Sequence, residues 1–380
     1  MILRTFLLLL KFIDFTDSFR VQTEDFPLLM PNSKPILPET YLCTTLRLDE
    51  NNTYYIVGFE PQAEEYRAHH MLLYGCKQPG EKEPIFSCGE MGTSLDGTKR
   101  ASPCRSGQKI IYAWAKNAPK LDLPKGVGFK VGGPGADVKY LVLQVHYARV
   151  DKIPTEGDTS GVVLKYTNIP QPRSAGVYFV GTGGLIPPQS TTHMEAACTL
   201  RENLEIHPFA FRTHTHSLGR VVSGWKVGKG MEWTLIGKKD PQLPQMFYPV
   251  ENTLTLNKGD TVAARCTMVS YRSRITWVGA TDEDEMCNFY IMHRSRITWV
   301  GATDEDEMCN FYIMYRSRIT WVGATDEDEM CNFYIMYWVS GDKILNNEVC
   351  RSMGPPVYSW SGWLVGGGLS NIPQDASSLE

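Results

Sequence analysis

Apolar residues along this chain come in short runs, with few windows that keep the i, i+3, i+4, i+7 stripes of amphipathic helices. Lys139 to Val150 (KYLVLQVHYARV), Gly176 to Gly181 and Arg220 to Trp225 are rich in Val, Tyr, Phe and Leu. Gly, Pro, Asn and Asp turns separate such runs at short intervals, which is the pattern of strands joined by tight connections. The expectation is an all-β fold of sandwich type. Two prolines in Ile169-Pro170-Gln171-Pro172 break strand continuity between two strand-rich halves and mark the best domain boundary. Leu123 to Phe129 (LPKGVGF) is glycine-rich but lacks the Lys-Ser/Thr and helix of a phosphate loop, and reads as a turn. Ser361 to Glu380, with three successive glycines, reads as the end of a loose tail over 353–380.

A repeat changes how composition is to be read. Arg272 to His293 (RSRITWVGATDEDEMCNFYIMH) recurs at Arg294 to Tyr315 and Arg316 to Tyr337, differing only in its last residue. Each 22-residue copy carries two arginines, four acids and one cysteine, so removing two copies takes the net charge from -4 to zero. A solenoid needs diverged, stacking repeats with distinct caps. Near-identical copies instead indicate a recent tandem duplication or an error of assembly. The 380 residues suffice for about two domains. A neutral chain offers no basic footprint for nucleic acid, and no apolar run approaches the ~20 residues of a membrane-spanning helix.

The amino terminus, MILRTFLLLLKFIDF, has one arginine before the apolar stretch Phe6 to Leu10, interrupted by Lys11; residues 1–20 read as a signal peptide. Ten cysteines, eight once the repeat is reduced to one copy, contain no CxxC pair and suit a disulfide framework in an oxidising compartment, secreted or in the lumen of a secretory vesicle. Asn51-Asn52-Thr53 is a glycosylation sequon, with Asn51 as the acceptor.

Candidate chemistry lies in the histidines, of which there are eight. His214-Thr215-His216 puts two imidazoles on one face if the segment is a strand; two polar residues on a solvated face is the competing reading. His69 and His70, being adjacent, can share an ion only at a bend or bulge. His146, in an apolar strand, would by itself read as a hydrogen-bonded core histidine. Together they point to a transition metal, and a nearby Met-Cys pair adds the soft thioether that favours Cu(I).

Ala68-His-His-Met-Leu-Leu-Tyr-Gly-Cys76, Leu143-Gln-Val-His-Tyr147, Arg212-Thr-His-Thr-His216 and the Asp-Glu-Met-Cys-Asn-Phe-Tyr-Ile-Met-Tyr run occur in that order. With these four motifs the chain resembles the copper type II, ascorbate-dependent monooxygenases from about Tyr41 to Cys350. The resemblance implies two packed, jelly-roll-like β-sandwich domains, each with one copper, facing across a solvent-filled cleft. They would span 35–169 and 173–352, the second containing the repeated block 272–337. It also implies that His69, His70 and His146 hold the electron-storing copper. His214, His216 and one methionine would form the catalytic site, where O2 and substrate meet. Ascorbate would supply the two electrons singly.

Within the family, Arg212, Asn332 and Tyr334 match the residues that hold a peptide's terminal carboxylate. A planar guanidinium suits that group, with a surface ion pair as the competing reading of Arg212. The implied activity is hydroxylation of the alpha carbon of C-terminal glycine, the first step of peptide amidation. The partners would be glycine-extended peptides and a separate lyase, since only 30 residues follow Cys350. Two alternatives remain: a catecholamine-type or other small-molecule hydroxylase, and a non-catalytic secreted copper-binding protein if the repeat disrupts the second site.

The resemblance implies the disulfides Cys43–Cys88, Cys76–Cys104, Cys198–Cys350 and Cys266–Cys331, with Cys287 and Cys309 as alternates, while Thr159 stands where a fifth bridge would need a cysteine. Met286, Met308 and Met330 are equivalent by sequence. Met330 is expected as the ligand, because the extra 44 residues would then leave at Tyr271-Arg272, a turn, where insertions are cheap.

Overall fold

The structure, a computed structural model, describes residues 22–88, 100–278, 329–362 and 367–380. They form strands throughout, with one short 3-10 helix, Gln374–Ser377. The amino-terminal half is a sandwich. One layer is a five-stranded antiparallel sheet in the order Phe86–Ser87, Thr40–Arg47, Tyr140–Tyr147, His70–Cys76, Lys109–Ala115. The other layer contains Glu24–Leu29, Gly161–Thr167, Thr53–Gln62 and Val127–Gly132. The alternating residues of these strands, among them Phe59, Leu73, Trp114, Phe129 and Leu143, meet in one buried core.

The carboxy-terminal half repeats this plan. Its inner sheet is built on Arg173–Thr182, Asn332–Ser340 and His207–His214, and its outer sheet runs Thr191–Thr199, Thr261–Val269, Gly219–Val227, Trp233–Lys239. Gly224 and Gly237 face one another across the outer sheet. A Cβ on either would lie 2.0 Å from the Phe333 ring or 2.3 Å from the Phe211 ring, so only glycine lets these rings pack between the layers.

The halves are joined in two ways. Val127–Gly132 pairs in parallel with Arg173–Thr182 at Val127/Arg173 and Gly128/Ser174, which makes one continuous sheet of the two inner layers. Tyr334 and Met336 of the second half are buried in the core of the first. The Pro170/Pro172 segment lies between strands ending at Thr167 and starting at Arg173.

Among the described residues four disulfides are present: Cys43–Cys88, Cys76–Cys104, Cys198–Cys350 and Cys266–Cys331. Thr159 is exposed, beside a buried Asp158 that accepts hydrogen bonds from Tyr147 and Ser160. Asn51 sits in an exposed turn in which its N–H donates to Asp49. Residues 1–20, Met286, Met308, Cys287 and Cys309 lie outside the described residues.

Two sequence expectations are corrected. The carboxy-terminal segment is not a loose tail: Trp360 is fully buried with Leu369 and Ala376 against Trp225, Val227 and Ala263. The Trp360 backbone N–H donates to Glu195, its indole N–H donates to the Ala196 carbonyl, and Arg265 lies over its ring. Three apolar anchors outweigh a composition that is glycine- and serine-rich on average. The extra residues also do not leave at Tyr271-Arg272. Thr276–Val278 of the first copy pairs with Gly184–Ile186, and Val278 bridges directly to Glu329 of the last copy. The folded block is therefore a composite, opened by the first copy and closed by the third.

Candidate functional site

His70 and His146 are opposite one another on adjacent strands, and His69 lies in a bend immediately before the first of these, where its N–H donates to the His146 carbonyl. The bend turns two neighbouring side chains toward one point, which a straight strand forbids. His146 Nδ1 is 3.1 Å from His69 Nδ1 and 3.4 Å from His70 Nδ1. Two nitrogens held by one ion at about 2.0–2.1 Å in tetrahedral geometry lie about 3.3 Å apart. These three histidines form the one group of its kind among the described residues. Burial, and then the neighbouring imidazoles, hold His70 and His146 well below the usual histidine range, so both present neutral lone pairs. Glu39 Oε2 accepts from His146 Nε2 at 2.8 Å, and Tyr41 stacks on the ring at 4.1 Å. Such an outer carboxylate fixes a ligand's tautomer.

The second group adjoins the first. His214 ends its strand and His216 lies just beyond it, so a turn as well as strand alternation sets their approach, with ring centroids 5.4 Å apart. His214 Nε2 is 3.1 Å from Met330 Sδ, while Nδ1 faces Gln245 Oε1 at 2.5 Å. Gln245 Oε1 therefore accepts a hydrogen bond from Nδ1–H, which leaves the Nε2 lone pair toward the thioether. Burial first, then the Arg212 charge, holds His214 well below the usual range. Two imidazoles and a thioether are a donor set that suits copper, so the residues at both groups fit the metal. The solvent-filled cleft expected between the two groups is closed at these rings, which meet edge to face with centroids 6.3 Å apart for His69 and His216 and 6.0 Å for His70 and His214.

A cavity of about 510 Å³ opens beside His70, His214 and Met330, with Arg212, Asn332 and Tyr334 on its wall. Arg212 and Tyr334 are register partners on neighbouring strands, as are His214 and Asn332. The Arg212 side chain is only 2% exposed. Its Nε donates to the Gln245 carbonyl at 2.8 Å and its Nη2 to Gln245 Oε1 at 3.3 Å, and it lies over the Tyr334 ring at 5.2 Å. Among the described residues no carboxylate pairs with it, and its burial rules out a surface ion pair. A buried cation without an anion is costly, and the cavity is where one fits.

Sequence reasoning missed Gln245, Glu39 and Glu329. Gln245 sits in an irregular Pro-rich loop and Glu39 in a turn with φ of 55°, so neither carries a periodic signal. Glu329 is fully buried and accepts from the Leu218 N–H and the Ser217 hydroxyl, and burial pushes it up to about 7.

Paired histidine groups on joined β-sandwiches, one completed by a thioether, define a metal-dependent redox protein of two domains. Residues 26–154 match the amino-terminal domain of the copper type II ascorbate-dependent monooxygenases, and residues 173–296, 292–319 and 315–362 match the carboxy-terminal domain; the chain belongs to this family. It is 43% identical over 268 residues to peptidyl-glycine alpha-amidating monooxygenase B of Xenopus laevis, covering 70% of this chain and 29% of that one. It is 42% identical over 279 residues to peptidyl-glycine alpha-amidating monooxygenase of Mus musculus, covering 72% and 27%. Dopamine beta-hydroxylase of Homo sapiens is 28% identical over 275 residues, covering 68% and 44%. The chain thus spans under a third of the length of the amidating relatives.

Proposed function

We propose that this protein hydroxylates the alpha carbon of a C-terminal glycine in peptides, the first step of C-terminal amidation. One observation carries the reading: the buried Arg212, without a carboxylate partner, faces a cavity that also reaches His214 and Met330. The names of the 42–43% identical relatives agree with it. Arg212, with Asn332 and Tyr334, receives the terminal carboxylate and so sets the adjoining alpha carbon toward the His214–Met330 group. Copper, bound at the two histidine groups, supplies one-electron redox chemistry, with ascorbate as donor and O2 as co-substrate. Overall, one C–H becomes C–OH, and the second oxygen atom leaves as water with two electrons and two protons. Gln245 holds both Arg212 and His214, so carboxylate and metal ligand share one rigid support. A lyase then cleaves the hydroxyglycine.

Four disulfides support a secretory-pathway location, and no helix among the described residues is long and apolar enough to cross a membrane. A catecholamine carries no anion to meet Arg212, so the catecholamine alternative is disfavoured. The test is copper per chain together with ascorbate-dependent conversion of an acyl-Tyr-Val-Gly peptide. Two coppers and turnover, with Arg212→Gln raising KM by at least tenfold, are expected. One copper and no turnover would mean a non-catalytic copper-binding protein.

A further inference from the structure

The cavity is too large for a terminal glycine alone, since about 510 Å³ is the size that encloses a ligand of several residues. Its wall carries an ordered series of contacts. The Arg212 guanidinium lies 5.2 Å from the Tyr334 ring, that ring 5.2 Å from Phe179, and Phe179 5.7 Å from the guanidinium of Arg351. Arg212 is buried at one end and Arg351 exposed at the other. Among the described residues the charged lining consists of Arg212, Lys109 and Arg351 against the single carboxylate of Glu348. Glu348 is already bound by Lys109 at 2.9 Å and by the Tyr337 hydroxyl at 2.6 Å. Its charge is therefore matched by Lys109, which leaves the two arginines as the unbalanced cations of the cavity. Glu202 fixes the rim beside Arg351 by accepting from the backbone N–H groups of Asn346 and Asn347.

We propose that Arg351 is a specificity residue that selects peptides with an acidic side chain upstream of the C-terminal glycine. The assignment rests on the reading of Arg212 as the carboxylate site. The three contacts between the arginines span at most about 16 Å, and an extended peptide advances about 3.3 Å per residue. The acidic side chain therefore belongs about three to five residues before the glycine. A dianionic peptide bridges the two guanidiniums, and the aromatic pair between them packs against its intervening side chains.

The test uses the full chain loaded with copper and three peptides, acyl-X-Ala-Tyr-Val-Gly with X as Glu, Gln or Lys. The wild-type protein is expected to favour Glu over Lys by about tenfold in kcat/KM, mainly through KM, and the preference should weaken as salt rises. Arg351→Gln should abolish the Glu preference, Arg351→Glu should invert it, and Arg351→Lys should retain most of it. Equal conversion of the three peptides by the wild-type protein, or a Glu preference that survives Arg351→Glu, overturns the role of Arg351 and leaves the glycine-hydroxylating reading intact. No conversion of any peptide by a two-copper protein overturns both.

Discussion

Gln245 Oε1 stands 2.5 Å from His214 Nδ1 and 3.3 Å from Arg212 Nη2. Its own amide group donates to the Thr215 and Pro241 carbonyls, which hold it in place. One buried amide thus orients both the imidazole proposed to ligate the metal and the guanidinium proposed to receive the carboxylate. Gln245→Leu should lower copper affinity at the second site by about 10–100-fold and raise KM for the glycine peptide in parallel. Copper titration of the variant beside steady-state kinetics checks this; a change in KM with unaltered copper affinity would separate the two tasks.

Met330 is the methionine beside His214 among the described residues. Met330→Ile should reduce binding from two coppers to one and remove turnover, whereas Met286→Ile and Met308→Ile should do neither. Metal analysis of the three purified variants decides it.

Burial pushes Glu329 up to about 7, above an ordinary value of 4.5. A folded state that binds a proton more tightly than the unfolded chain gains stability at low pH, present in full below about 4.5 and lost as pH rises to about 7. The span corresponds to about 3 kcal/mol as an upper bound. In copper-free protein, Glu329→Gln should flatten the decline in unfolding free energy between these pH values, as read by denaturant titration across that range.

Trp360→Ala removes the largest anchor of the carboxy-terminal segment and leaves the Ala196 carbonyl without its indole donor. A loss of about 3–5 kcal/mol is expected, with a matching drop in thermal midpoint by calorimetry. A drop within that of ordinary surface substitutions would show that the segment is not integral to the second half.

The strand Tyr140–Tyr147 and the interruption of strands at Pro170-Pro172 were legible because each is a local property of backbone and residue type. The meeting of His69, His70 and His146 was legible only through the family resemblance: sequence alone leaves His146 a core histidine, and the bend before His70 has no signature. Gln245 and Glu39 were illegible because each acts through a single long-range hydrogen bond from an irregular segment. Trp360 was misread because the average composition of its segment hid one residue that fills a hole in a distant sheet. The composite block was hidden for a different reason: identical copies are indistinguishable to pattern, and only the pairing of Thr276–Val278 with Gly184–Ile186 assigns the opening residues to the first.

The bridge between Val278 and Glu329 has a genetic counterpart. Because the copies share one period, gaining or losing a whole copy leaves the residues on both sides of that bridge chemically the same. A chain with one copy more or fewer would therefore present the same residues to Met330 and to the Cys266–Cys331 link.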